Sequence, residues 1–238
     1  MADRHTYFVS DLHLFSRRSL AMSHETAIHA AANRARMFVL GGDIFDFRWS
    51  RHGSAEATVQ HALRWIDDLV AVHPRCDFHF VQGNHDCNRR FVAALESYAR
   101  HRRNFAVHPY YLRLGRRIFL HGDAADLPRM NAHRLQLRRE HWSRDEPPPG
   151  EMRHLLYDLA VKARLHRVVS RIAHPKRRVA HRILGYLQRV GHGPATGLAD
   201  VYFGHTHEPL VNYRHRGVTF HNPGSPMPGV PFRIVEVE

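Results

Sequence analysis

With 238 residues, 43% of them hydrophobic, the chain is long enough to bury a substantial core and too apolar for disorder to be the default. Thirty-five basic against 22 acidic residues give a formal charge of +13, which argues for an anionic partner or a strongly solvated basic surface. No apolar run approaches the roughly eighteen residues of a membrane span, the opening MADRHTYFVSDLH does not read as a secretory signal, and Cys76 and Cys87 are too few for a disulfide framework.

These features point to a reducing cytosol. Lys162 and Lys176 are the only lysines, so the charge is arginine, whose planar fork suits phosphate.

Thr6 to Ser10 reads as the first strand and ends at Asp11-Leu12-His13. An alanine-rich stretch from about His24 to Arg36 has helical propensity, and Met37 to Leu40 is a short apolar strand. That strand runs into Gly41-Gly42-Asp43, where paired glycines allow a tight exit and deliver Asp43 at the strand's carboxyl end. Ser54 is a capping residue for a helix carrying Val59, Leu63, Ile66, Leu69 and Val70 at helical spacing, stopped by Pro74. Phe78 to Val81 predicts the next strand and leads to Gly83-Asn84-His85-Asp86, followed by a helix from about Arg89 to Arg103.

Then the rhythm changes. Tyr110 to Leu114 and Ile118 to Leu120 read as a hairpin feeding His121-Gly122-Asp123. From Ala124 to Asp200 no strand pattern occurs, and the region carries 15 Arg or Lys against 7 Asp or Glu. Pro147-Pro148-Pro149-Gly150 and Pro175 divide it, with apolar stripes from Leu155 to Ile172 and from Val179 to Val190 that predict two amphipathic helices. The remaining strands are expected at 201–203, before Gly204-His205-Thr206-His207, and at 210–213, 218–221 and 232–237. Alternating strands and helices followed by a strand-rich end predict an α/β fold with a mixed sheet, or two sheets packed face to face with outer helices. The expected organisation is one domain over 1–238 with 124–200 inserted as a helical cap.

Each of the five blocks follows a predicted strand, and together they hold carboxylates, imidazoles and an amide but no thiolate. Such donors suit Mn, Fe or Zn rather than a copper–thiolate site. Two divalent ions about 4 Å apart need one shared carboxylate and several further ligands each, which accounts for the inventory.

These blocks, in this order, resemble the calcineurin-like metallophosphoesterase superfamily over Ser10 to Ser225. The resemblance implies a four-layer α-β-β-α sandwich with mixed sheets. It implies a first ion on Asp11, His13, Asp43 and His207 and a second on Asp43, Asn84, His121 and His205, with Mn the expected metal and Fe or Zn alternatives. His85 would stabilise charge at the scissile bond and protonate the leaving oxygen, Asp86 would orient His85, and a metal-bridging hydroxide would attack phosphorus in line. Asp46 is read as a helix cap and Asp123 as a turn cap.

The length, Ser10-Asp11-Leu12-His13-Leu14 and the basic helical insertion also resemble UDP-2,3-diacylglucosamine hydrolases, which cleave a pyrophosphate in lipid A synthesis. That resemblance implies a nucleotide-linked glycolipid substrate, a cap groove for acyl chains and peripheral contact with the inner membrane from the cytoplasm. Arg129, Arg134, Arg138 and Arg139 are phosphate-binding candidates by their nearness in sequence to His121. The chain departs from that pattern at Ala124 to Met130, where a polar Thr-Asp-Asp stretch is expected, and at His85, where arginine is common. Alternatives are a generic phosphodiesterase, a nuclease, for which the arginine–aromatic interleaving of a single-strand platform is lacking, and a metal-free scaffold on the same fold. For the cap stripes, packing against the domain is the alternative to a lipid groove.

Overall fold

The computed structural model describes residues 5–144, Met152 and residues 175–237. The predicted Leu155–Ile172 helix and the proline turn before it lie outside the described residues.

Two five-stranded sheets form the centre. The first has the order β10-β1-β2-β3-β4, from Val235–Val237, His5–Val9, Ala35–Leu40, Asp77–Val81 and Phe105–His108. Its strands β1 to β4 are parallel and β10 joins the edge antiparallel. The second has the order β5-β6-β7-β9-β8, from Tyr111–Leu114, Arg117–Leu120, Asp200–Phe203, Val218–Asn222 and Leu210–His215. Here β6, β7 and β9 are parallel, while the β5–β6 and β8–β9 pairs are antiparallel.

Period-two side-chain alternation makes this a layered molecule. On β1, Tyr7 and Val9 face outward toward α1 (Glu25–Arg34), α2 (Ala55–Val72) and α3 (Arg89–Arg100), and Phe8 faces the other sheet. On β6 and β7, Phe119 and Tyr202 meet Phe8 between the sheets, with ring centroids 4.9 to 5.9 Å apart. Their neighbours Ile118, Leu120, Val201 and Phe203 face outward toward α5 (Lys176–Arg189). The arrangement is an α-β-β-α sandwich of mixed sheets.

The apolar stripe of α5, Val179, Ile183, Leu184 and Leu187, is buried against the second sheet. Packing therefore accounts for that stripe, and no lipid groove is needed to explain it. The helix α4 (Ala132–Trp142), capped by Asn131, lies in the same basic region and was not predicted as a separate element. Strand β4 was also missed. It is only four residues long and its pattern, Phe-Ala-Val-His, carries little alternation. The last strand is shorter than predicted, running from Val235 rather than Phe232. Among the described residues no helix is long and apolar enough to cross a membrane.

Candidate metal centre

Loops leaving the carboxyl ends of β1, β2, β3, β6 and β7 meet over one edge of the sandwich. Backbone bonds tie them directly: Asp11 N donates to Gly42 O at 3.0 Å, and Gly204 N donates to His121 O at 2.7 Å. The His205 N–H donates to the Asp11 carboxylate at 2.8 Å, fastening the two sheets to each other at this point.

All seven residues predicted to ligate metal are brought together. Asp11, His13 and His207 form one group and Asp43, His121 and His205 another, each with donor atoms within 4.8 Å of one another. In the first, His13 Nε2 lies 3.1 Å from His207 Nε2, and His207 Nε2 is 3.3 Å from Asp11 Oδ1. In the second, Asn84 Oδ1 lies 2.9 Å from His121 Nε2 and 3.1 Å from His205 Nδ1. Asp43 stands between them. Its Oδ1 accepts from the His85 N–H at 2.8 Å, and its Oδ2 is 3.9 Å from His13 Nε2 and 3.3 Å from His121 Nε2.

Strain concentrates at the same place. Of the nine non-glycine residues with positive φ among the described residues, five are Asp11, His13, Asp43, His205 and His207. Left-handed backbone at such residues costs about 1–3 kcal/mol each and persists where surrounding structure imposes it. Two glycines make the crowding possible. A Cβ on Gly83 would lie 2.2 Å from Asp43 Oδ1, and one on Gly204 would lie 2.0 Å from Asp11 Oδ2. Gly83→Ala is expected to displace Asp43, lower stability by about 1–3 kcal/mol, and abolish uptake of divalent ions, as read by thermal melting and metal content.

The electrostatics describe a pocket that holds positive charge. Burial alone would raise the Asp43 carboxyl, but His121, His85 and His13 pull it well below the usual carboxylate range. Asp11 is likewise lowered, with His207 and His121 outweighing its burial. The reciprocal effect lifts His121 to about 10, because Asp43 and Asp11 overcome the burial that would lower it. A buried imidazole driven to keep its proton occupies a place suited to a cation. The oxygen and nitrogen donors converging there, free of sulfur, fit two borderline-hard divalent ions.

The family model for calcineurin-like phosphoesterases matches residues 5–209. The chain belongs to this family. It is a metal-dependent hydrolase with the metallophosphoesterase sandwich fold. A solved dimetal phosphatase from Danio rerio is similar to this phosphoesterase at 13% identity, covering 94% of this chain and 88% of that one, with a TM-score of 0.46. No curated protein matches it in sequence.

Within this calcineurin-like phosphoesterase, His85 lies beside the ligand groups, but its partner is not the expected one. Its Nδ1 is 3.0 Å from Asp46 Oδ1, which also accepts the Trp49 N–H at 2.9 Å. Asp46 is therefore more than a cap: it orients His85 and reaches His13 Nδ1 at 3.5 Å. The expectation that Asp86 orients His85 is corrected. Asp86 is fully buried and accepts from the Gly83 and Ile44 N–H groups at 2.6 and 2.8 Å, so it braces the loops that carry Asp43 and Asn84. Burial and the neighbouring Asp43 charge raise its carboxyl to about 7. The signal for Asp46 was its spacing, three residues beyond Asp43 on the same loop.

None of the four arginine candidates lines the cleft beside His85. Arg139 is buried and makes two bonds to Asp123, at 2.9 and 3.0 Å, and one to Pro109 O. Asp123 accordingly does more than cap a turn. Arg138 pairs with Asp126 at 2.7 Å, and Arg134 donates to Pro128 O at 3.1 Å and Arg129 O at 3.4 Å. Arg129 adopts a left-handed conformation on the exposed surface. The cleft, a cavity of about 170 Å³, is bordered instead by Asn84, His85, Phe47, Trp142, Arg48 and Arg144.

Proposed function

We propose that the enzyme hydrolyses a phosphodiester or pyrophosphate bond at two divalent ions, with manganese the expected metal. The carrying observation is Asp43, whose outer oxygen faces one ligand group through His13 and the other through His121. Asp11, His13, Asp43 and His207 would hold one ion, and Asp43, Asn84, His121 and His205 the other. When bound, such ions lower the pKa of water and neutralise charge developing on phosphoryl oxygens.

The remaining work falls to the chain itself. His85, held by Asp46, would donate its proton to the leaving oxygen. Burial opposes that proton, yet Asp46 and Asp43 raise the ring to about 9, which keeps it protonated at neutral pH. Because a raised imidazole loses its proton as pH climbs through the raised value, activity is expected to fall along an alkaline limb. Cations beside the ring repel its proton, so that limb belongs at or below about 9. His85→Gln should lower turnover roughly 10²- to 10⁴-fold and remove the limb, as a pH profile of kcat will show.

Arg48 and Arg144 beside the cleft support an anionic substrate. Within that class the motif resemblance makes a nucleotide-linked glycolipid the first substrate to test. Peripheral contact with an anionic membrane is part of the same proposal and rests on the basic charge of 124–200. Cytoplasmic placement rests on the two free cysteines, and the reading of 124–200 as an inserted cap rests on the ligand blocks that flank it in sequence. The test is a manganese-supplemented screen of UDP-2,3-diacylglucosamine, bis(p-nitrophenyl) phosphate, nucleotides and single-stranded DNA. Chelator-sensitive hydrolysis of any of these supports the phosphoesterase reading, and turnover of simple diesters alone removes the glycolipid. Cleavage of DNA with steep salt dependence favours a nuclease. Failure to bind metal or hydrolyse any of them favours the scaffold.

A further inference from the structure

His205 turns its two ring nitrogens in opposite directions. Nδ1 faces the ligand cluster, 3.1 Å from Asn84 Oδ1 and 3.2 Å from His121 Nε2. Nε2 faces away and lies 2.5 Å from Asp126 Oδ1. A carboxylate on the far nitrogen of a metal-binding imidazole fixes the ring's tautomer and orientation and makes it a stronger donor.

Asp126 is itself held from two sides. The 3₁₀ turn Asp123–Ala125 follows β6 and brings Asp126 back beside the β7 loop. Its second oxygen, Oδ2, accepts from Arg138 Nη2 of α4 at 2.7 Å, and Arg138 lies over the Trp142 ring at 4.6 Å. Arg182 of α5 donates to the Ala125 and Asp126 carbonyls, both at 2.9 Å. Two helices of the basic 124–200 region therefore hold Asp126, α4 through its carboxylate and α5 through its main chain.

Two of the other three imidazoles, those of His121 and His13, are supported differently. His121 Nδ1 is 3.4 Å from Gly41 O, and His13 Nδ1 is 3.5 Å from Asp46 Oδ2, both on the loop after β2. His205 takes its support from the helical region instead.

We propose that Asp126 is the positioning residue for His205, held by Arg138 and Arg182, so that the helical region governs occupancy of the second metal position. The inference rests on the reading of His205 as a ligand. It also gives Arg138, placed among phosphate-binding candidates by sequence, a role one step behind the metal.

The test uses the full chain stripped of metal and titrated with Mn²⁺ by calorimetry, with ion content counted after desalting and apo-protein melting measured in parallel. Wild type is expected to take two ions. Asp126→Asn should keep one at wild-type affinity, bind the other roughly 10- to 100-fold more weakly, and melt as the wild-type apo-protein does. Arg138→Met should move the same affinity in the same direction by less, and serves if Asp126→Asn fails to fold. Two ions in wild type with both affinities unchanged in Asp126→Asn would overturn the positioning role alone. Equal weakening at both positions with a lowered apo melting temperature would overturn it in favour of a structural one. Fewer than two ions in wild type would overturn the two-metal reading, and this proposal with it.

Discussion

Asp43→Asn is expected to lower hydrolysis on the order of a thousandfold or more and to empty at least one metal position. The substitution conserves shape, and Asn can still accept the His85 N–H that Asp43 Oδ1 takes at 2.8 Å. What it removes is the charged oxygen facing His13 and His121. An amide there presents either a neutral oxygen or an N–H₂ that repels a cation. Lewis-acid stabilisation contributes several kcal/mol to such reactions, and about 1.4 kcal/mol corresponds to a factor of ten. The check is kcat/KM on a manganese-dependent substrate together with ion content per chain. Full hydrolysis by the variant would rule out a shared carboxylate.

Arg139→Ala is expected to destabilise the protein by about 3–5 kcal/mol, because it leaves the buried Asp123 carboxylate without its counter-charge. Both partners are buried, and the guanidinium also reaches Pro109 O and lies over Tyr110 at 5.3 Å. For a domain of this size the loss corresponds to a fall in melting temperature on the order of 10 °C. The pair also sets a pH dependence. Burial would raise the Asp123 carboxyl, but Arg139 holds it below its ordinary value. Its contribution is therefore present above the ordinary carboxylate pKa and lost as pH falls through the depressed one. Melting curves across acid pH should show this slope in wild type and not in Arg139→Met. An Arg139→Ala protein that melted normally but showed a raised KM would restore the phosphate-binding role.

The strand-end blocks were legible because their information is local. An apolar run followed by Gly41-Gly42-Asp43 or Gly204-His205-Thr206-His207 predicts both a strand and the residue delivered at its end. Seven donors spread from Asp11 to His207 need only the parallel order of a few strands to meet, and in the first sheet the helical crossovers between β1 and β4 supply that order. Side-chain pairing is different, because it depends on direction as well as position. Adjacent in sequence, Asp86 and His85 point apart, so His85 pairs with Asp46 across two loops. Arg138 and Arg139, neighbours on one helix, lie on different faces and end on Asp126 and Asp123. Sequence alone thus determined the donor set and the strand-and-helix order apart from β4 and α4. Tertiary structure decided which charge meets which, since helical rotation and loop crossing set the distances on which electrostatic pairing depends.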